Sequence, residues 1–244
     1  MLDPRVSIIN ERLKPVRRIV AVSSGKGGVG KSLVASTVAL LLAKKSFSVG
    51  LFDLDFTSPS THLILGVDKV QPIEDRGLVP ALVHGLKYMS IVAYSGDKAL
   101  PLRGADFSNA LIELLAVTRW DAADFLILDM PPGISDAVLD MLRLVERVEF
   151  LIVTTSSLLA FETVRKLAEL LRGLNVPVLG ILENMKMREE DDSIKRRVNA
   201  MGLSYLGGIP FDPMVEEAIG RVDALLKTVF ARSLNDMLIR LNLC

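Results

Sequence analysis

Gly25-Lys26-Gly27-Gly28-Val29-Gly30-Lys31-Ser32 is the stretch that decides the reading of this 244-residue chain. It follows a short β-branched run at residues 18–23 and opens a long apolar segment at 31–44. A strand that feeds a glycine-rich turn and then a helix is the layout of a phosphate-binding loop. Two patterns overlap in it. Gly25, Gly27 and Gly30 satisfy G-x-G-x-x-G, and Asp53 stands about twenty residues on, at a strand end, where a dinucleotide fold puts its ribose-binding acid. The same residues satisfy G-x-x-x-x-G-K-[ST]. Lys31 and Ser32 decide between the two, because a triphosphate site requires that pair at the helix start and a dinucleotide site does not. In this reading the backbone N–H groups of residues 27–31 wrap the phosphates, Lys31 reaches the β/γ oxygens, and the Ser32 hydroxyl ligates Mg²⁺. The helix N-terminus adds its dipole. The nucleotide-binding set is therefore Gly25, Lys26, Gly27, Gly28, Val29, Gly30, Lys31 and Ser32.

Outward from the loop, strands and helices alternate. Residues 3–14 read as a helix stopped by Pro15. Strands are predicted at 48–53, 86–94 and 125–129, with a helix at 107–118 before the last. After Pro131-Pro132-Gly133 come a helix (135–144), a strand (149–154), a helix (159–171), a strand (176–183), a helix (193–201) and a short strand (203–206). Helices at 213–219 and 222–241 close the chain. This order predicts an α/β fold: a doubly wound, mostly parallel sheet with helices on both faces. It is read as one P-loop NTPase domain over 1–244, with 1–16 as an N-terminal extension and 222–244 as a C-terminal helix. Residues 55–85 are the least regular part and read as a mobile loop region.

Composition excludes several function classes. The chain carries 29 Lys+Arg against 29 Asp+Glu, so no net charge draws it to nucleic acid or to an acidic membrane. Its one cysteine, Cys244, gives no internal disulfide and no CxxC pair. Asp3 and Pro4 stand where a signal peptide needs an apolar core. The longest apolar stretch, 33–43, is about half of what spans a bilayer. The expectation is a cytoplasmic protein with neither a nucleic-acid nor a membrane partner. The apolar stripe of the C-terminal helix reads as a face packed on the sheet.

Three acids complete the loop's chemistry. Phe125-Leu-Ile-Leu-Asp129 is an apolar strand ending in a carboxylate, where a P-loop site holds its magnesium shell. Asp53 and Asp55 end another strand. One would support the magnesium waters and the other would orient the attacking water, since phosphoryl transfer asks chiefly for positioning and charge neutralisation. The metal set is Ser32, Asp53 and Asp129. The catalytic set is Lys26, Lys31 and Asp55. Lys26 lies too early in the loop to aim at its own phosphates, and would project instead towards a partner's nucleotide, as an arginine finger does in trans.

The loop from Lys26 to Ser32 resembles the deviant Walker A of the MinD/ParA/nitrogenase-iron-protein class. Within that class, several blocks resemble the Mrp (ApbC/Nbp-type) ATPases that carry iron–sulphur clusters. They are Asp53-Leu-Asp-Phe-Thr-Ser-Pro-Ser60, Leu102-Arg103-Gly104, Trp120 with Asp124-Phe-Leu-Ile-Leu-Asp-Met-Pro-Pro-Gly133, Gly180-Ile-Leu-Glu-Asn-Met185 and Gly208-Ile-Pro-Phe-Asp212. The resemblance implies a homodimer that sandwiches two ATP molecules, slow ATP hydrolysis, Lys26 reaching across the interface, Asp55 as the water-orienting acid, and Asn184 and Pro210 beside the adenine. The cofactors it implies are ATP, Mg²⁺ and an iron–sulphur cluster. The sequence departs from the family in three places: Ile134-Ser135-Asp136 after the double proline, Thr154-Thr155-Ser156-Ser157 after the next strand, and residues 185–193, which hold none of the family's cysteines. A cluster bridging two chains wants four thiolates, and Cys244 supplies one per chain. The charged run at 186–197, in the place of the family's cluster loop, reads as a solvated face or a site for a client protein.

The function expected is a Mg²⁺-dependent ATPase of the Mrp type, related to iron–sulphur cluster carriage or assembly. The alternative is a MinD/ParA-like positioning or partner-regulating switch without a cluster. An NAD-dependent oxidoreductase and a small-molecule kinase stand further off.

Overall fold

A computed structural model describes residues 4–68, 70–95 and 105–243. The chain runs α1 (Pro4–Leu13), β1 (Val16–Ser24), α2 (Lys31–Lys44), β2 (Val49–Asp53), α3 (Thr61–Leu65), β3 (Ile73–Glu74), β4 (Leu78–Val79), β5 (Ala81–Val83), β6 (Leu86–Ser90) and α4 (Val92–Ser95). It continues with α5 (Ala105–Val117), β7 (Ala123–Asp129), α6 (Asp136–Leu144), β8 (Val148–Thr155), α7 (Leu158–Gly173), β9 (Val178–Lys186), α8 (Ser193–Ala200), β10 (Tyr205–Pro210), α9 (Met214–Ala218), α10 (Val222–Leu225) and α11 (Val229–Arg240).

Eight strands form one sheet in the order β10-β9-β8-β1-β7-β2-β6-β5, parallel throughout except for the edge strand β5. The expected α/β architecture is present. From Ile19 onward every residue of β1 is buried, which is why the strand reads as an unbroken apolar run. Its side chains divide by parity. Ile19 and Ala21 join the core beneath α1, α5, α6, α7 and α8, whereas Val20 and Val22 join the core beneath α2, α3 and α9–α11. β7 divides likewise, Leu126 and Leu128 against Phe125 and Ile127. Trp120 is fully buried against Phe52 and over Gly50, where a Cβ would meet its ring at 2.6 Å.

Element boundaries shift by one to three residues at several ends, β9 running from Val178 to Lys186 for example, and four differences go further. The strand begun at Leu86 ends at Ser90, not Tyr94, because the Ser90 hydroxyl accepts the Val92 N–H and turns the chain into α4. The strand expected at 203–206 lies at Tyr205–Pro210: Gly207 and Gly208, residues that normally weaken a strand, pair with β9 here, and a Cβ at Gly208 would meet the Lys186 side chain at 2.7 Å. The closing helix divides into α10 and α11 at Thr228, whose hydroxyl accepts the Ala231 N–H while Asp212 Oδ2 accepts those of Val229 and Phe230. The stretch 55–85 holds α3, the β3–β4 hairpin and β5, each too short to announce itself by periodicity. The buried stripe of α11 (Phe230, Leu234, Met237, Leu238) packs into the core shared with α2. Leu102-Arg103-Gly104 and Cys244 lie outside the described residues.

Candidate nucleotide-binding site

The site forms where β1, β7 and β2, three neighbours in the sheet, release their chains at the same edge. Asp53 of β2 and Asp129 of β7 stand side by side in the parallel register, and Asp129 is also level with Val22 of β1. The glycine loop leaves β1 and enters α2. Gly30 precedes the helix in left-handed backbone (φ 82°), a conformation glycine adopts without cost. A Cβ there would also lie 2.3 Å from Asn184 Nδ2, which donates to the Val29 carbonyl at 2.9 Å. At the other end of the loop, a Cβ on Gly25 would meet Thr163 Oγ1 of α7 at 2.3 Å. The loop is therefore clamped from β9 and from α7, while Lys26, Gly27 and Gly28 stay exposed.

In front of the loop lies a cavity of about 400 Å³, lined by Ser24, Lys26, Gly27, Gly28, Gly30, Lys31, Ser32, Asp55, Thr57, Ser58, Pro132 and their neighbours. That volume is in the range of small-ligand sites. On its floor Lys31, only 7% exposed, donates from Nζ to Asp129 Oδ1 at 2.6 Å and to Ser32 Oγ at 3.0 Å, and Nζ lies 4.0 Å from Asp55 Oδ2. Asp129 is fully buried. Burial pushes its carboxyl up, against the opposing pull of the Lys31 ammonium. Its Oδ2 has no hydrogen-bond partner among the described residues. Asp55 Oδ1 accepts from the Thr57 hydroxyl at 3.0 Å and from Ser58 N–H, and Oδ2 faces Lys31.

Asp53 is held differently. Oδ1 accepts the Asp55 N–H, and Oδ2 accepts both the Thr61 N–H (3.2 Å) and the Thr61 hydroxyl (2.6 Å). The Tyr88 hydroxyl lies 2.8 Å from that of Thr61. Burial, and then the neighbouring Asp129 carboxylate, push Asp53 up to about 7. The geometry thus gathers Lys31, Ser32, Asp55 and Asp129 around one space, with Lys26 at its exposed rim. Asp53 stands behind them with both oxygens already occupied, anchoring the chain that follows β2. Among the described residues that line the cavity, neither Asn184 nor Pro210 appears: Asn184 braces the loop from below, and Pro210 pairs with Lys186 at the end of β10. Thr61 and Tyr88 were not singled out from the sequence. A threonine and a tyrosine eight and 35 residues beyond Asp53 carry no local signal: the turn after β2 folds Thr61 back onto Asp53, and the pairing of β2 with β6 brings up Tyr88.

The donor set fits a magnesium–phosphate group. A buried unpartnered carboxylate oxygen, a hydroxyl at a helix N-terminus and a ring of free loop amides are what such a group needs. Among the described residues no three His, Cys, Asp or Glu side chains form a metal cage by themselves. That suits magnesium, which keeps several waters and takes phosphate oxygens.

A loop of this form between strand and helix, facing an acid on the neighbouring strand, defines the class of P-loop nucleoside triphosphatases. Within that class, the family model described as ParA, NUBPL iron-transfer P-loop NTPase, matches residues 15–238, and the chain belongs to this family. It is 36% identical over 222 residues to the iron–sulfur cluster carrier protein of Aquifex aeolicus, covering 85% of this chain and 61% of that one. The chain thus spans about three fifths of that relative's length. Among solved structures it superposes on the nucleotide-binding protein of Archaeoglobus fulgidus in complex with ADP with a TM-score of 0.75, at 29% identity over 91% of this chain and 93% of that one. It shares the fold of the cell-division ATPase MinD of Pyrococcus furiosus, with a TM-score of 0.66 at 20% identity over 92% and 99% of the two chains. Among the described residues no helix is long and apolar enough to cross a membrane.

Proposed function

We propose that this chain is a Mg²⁺-dependent ATP-binding and hydrolysing protein, cytoplasmic, which serves iron–sulphur cluster carriage or assembly as an ATP-switched homodimer. The observation that carries the reading is the Lys31–Asp129 pair beneath an open glycine loop. The free amides of the loop take the phosphates, and Lys31 leaves Asp129 for the β/γ oxygens. Ser32 and Asp129 hold the magnesium, with Asp53 behind them shaping the chain that carries Asp55. The metal supplies charge neutralisation on the phosphates when bound. Asp55, 4.0 Å from Lys31 and lining the cavity, orients the attacking water. Pro210 flanks the base, while Asn184, buried beneath the loop, holds Val29.

Lys26, exposed at the rim, reaches a partner's nucleotide. Support for a dimer comes from the apolar side chains that surround the loop at the same sheet edge. Ile134, Leu158, Leu159, Met187, Phe211 and Met214 are 46%, 54%, 81%, 74%, 54% and 54% exposed. They follow β7, β8, β9 and β10 in turn, and a second copy facing the loop would cover them.

The cargo is a separate matter. Residues 185–193 contain no cysteine, and the chain offers one thiol where a shared cluster takes two from each subunit. These residues do not fit the family's cluster. The thiol count favours, as a second reading, a partner-regulating switch of the MinD/ParA kind that acts through residues 186–197.

Calorimetric titration with MgATP and with NAD tests the primary reading. ATP is expected to bind and NAD not, with Mg²⁺-dependent phosphate release and a fall in that release for Lys26→Ala. Binding of NAD in place of ATP would overturn it. Anaerobic reconstitution with iron counting, repeated on Cys244→Ser, separates cluster carriage from the cluster-free switch.

A further inference from the structure

Outside the nucleotide cavity, one buried carboxylate has no part in the chemistry above. Glu183 of β9 is fully buried. Its Oε1 accepts from the Ser156 hydroxyl at 2.7 Å and its Oε2 from the Tyr205 hydroxyl at 2.6 Å. Ser156 lies between β8 and α7, and Tyr205 opens β10, so one side chain ties together the ends of three elements. Burial and the Glu183 carboxylate push the Tyr205 phenol up, which keeps it a donor throughout the working pH range.

The two neighbours in sequence, Glu183 and Asn184, point to opposite faces of the sheet. Asn184 clamps Val29 and backs Gly30 on the α2 face. Glu183, on the other face, fixes Ser156, which directly precedes the α7 cap Ser157. α7 in turn presses Thr163 and the Val164 backbone against Gly25. Both clamps on the glycine loop, at Gly25 and at Gly30, therefore run back to the same point on β9. A buried carboxylate with two charge-assisted hydrogen bonds is a stiff anchor, and losing it leaves two hydroxyls to repair at once.

We propose that Glu183 is a positioning residue for the nucleotide loop, acting through Asn184 on Val29–Gly30 and through Ser156 and α7 on Gly25. It touches no nucleotide. It holds the loop amides in a binding arrangement before ligand arrives, so that little ordering is left for the binding step. The proposal rests on the nucleotide reading only in its binding arm.

Two measurements on the full chain test it. The first is hydrogen exchange on nucleotide-free protein. Glu183→Leu is expected to raise exchange at least about fivefold at Val34 and Gly133, whose N–H groups donate to the Gly30 and Ser24 carbonyls at the two ends of the loop, and Asn184→Ala to raise it at Val34, while α11 keeps its protection. Glu183→Gln, which still accepts one hydroxyl and donates to the other, is expected to restore the wild-type pattern. The second is titration with MgADP. Glu183→Leu and Asn184→Ala are each expected to weaken binding about tenfold, Glu183→Gln about twofold or less, and the Leu/Ala double variant no more than about threefold beyond either single one, since residues acting in series are not additive.

Tyr205→Phe, a milder change, is expected to move both readouts in the same direction and keeps the test open should Glu183→Leu fold poorly. Fully additive losses, or a lowered melting temperature with the loop exchange and the MgADP affinity unchanged, would overturn the proposal. Failure of the unaltered protein to bind MgADP would sink the nucleotide reading instead, and the exchange measurement would still decide the positioning role.

Discussion

Lys31 is a cation kept 93% out of water beside an acid that is entirely out of it. Neither ion is tolerable there alone, so the pair stabilises the empty loop only while both members remain. Lys31→Ala is expected to abolish measurable MgATP binding and also to cost about 3–5 kcal/mol of stability, because Asp129 is left buried and unpaired. Lys31→Ala combined with Asp129→Asn is expected to recover most of that stability in urea titration and none of the binding. Equal stability of the single and double variants would show that the pair is not coupled.

Asp53 gives a second expectation. Its carboxyl titrates at about 7 in the folded chain against 3.8 unfolded. Between those values the native state binds a proton that the unfolded chain does not, so stability falls as pH rises through that window and levels off above it. The urea midpoint of the nucleotide-free protein is expected to decline from pH 5 to pH 7, and Asp53→Asn to flatten that decline. The identity of Lys31, Ser32 and Asp129 as a set was legible in the sequence because the loop pattern and the apolar strand are local signals. The commitment of both Asp53 oxygens to the protein was not, because Thr61 reaches it through the turn after β2 and Tyr88 meets Thr61 only through the pairing of β2 with β6.

Elements succeed here by how tightly they back the loop. Gly25 and Gly27 look alike in the sequence, yet α7 touches only one of them. A Cβ on Gly25 would stand 2.7 Å from Thr163 Cβ and 2.8 Å from the Val164 nitrogen, whereas one on Gly27 would meet nothing within 4 Å. Gly25→Ala is expected to destabilise by about 1–3 kcal/mol through overpacking. Gly27→Ala is expected to leave stability within about 0.5 kcal/mol. Differential scanning calorimetry of the two variants checks the contrast. Gly27→Ala is nonetheless expected to weaken MgATP, since Gly27 lines the cavity itself. Long elements with clear periodicity, such as α2, α5 and α7, were readable to within two residues. The short ones between 55 and 85, the break at Thr228 and the glycine-bearing β10 were not, since each is fixed by a partner distant in sequence.

For the molecule as a whole, the loop and its apolar surround make one continuous edge. If a second copy covers that edge when ATP is bound, Leu159→Glu is expected to leave the monomer's melting temperature unchanged, its side chain being 81% exposed, and to abolish ATP-dependent dimerisation in sedimentation velocity. An unaltered dimer would move the interface elsewhere. The sequence by itself determined the α/β class, the phosphate loop and the acid that faces it, because these are set by hydrophobic period, glycine spacing and a charged residue at a strand end, all local in the chain. Only the tertiary structure decided that Asn184 and α7 clamp the loop, that Asp53 anchors rather than faces the cavity, and that Glu183 lies behind both clamps. Those are contacts between strands and helices far apart in sequence, and a close approach of backbones or a shared hydroxyl leaves no mark on the periodicity of either partner.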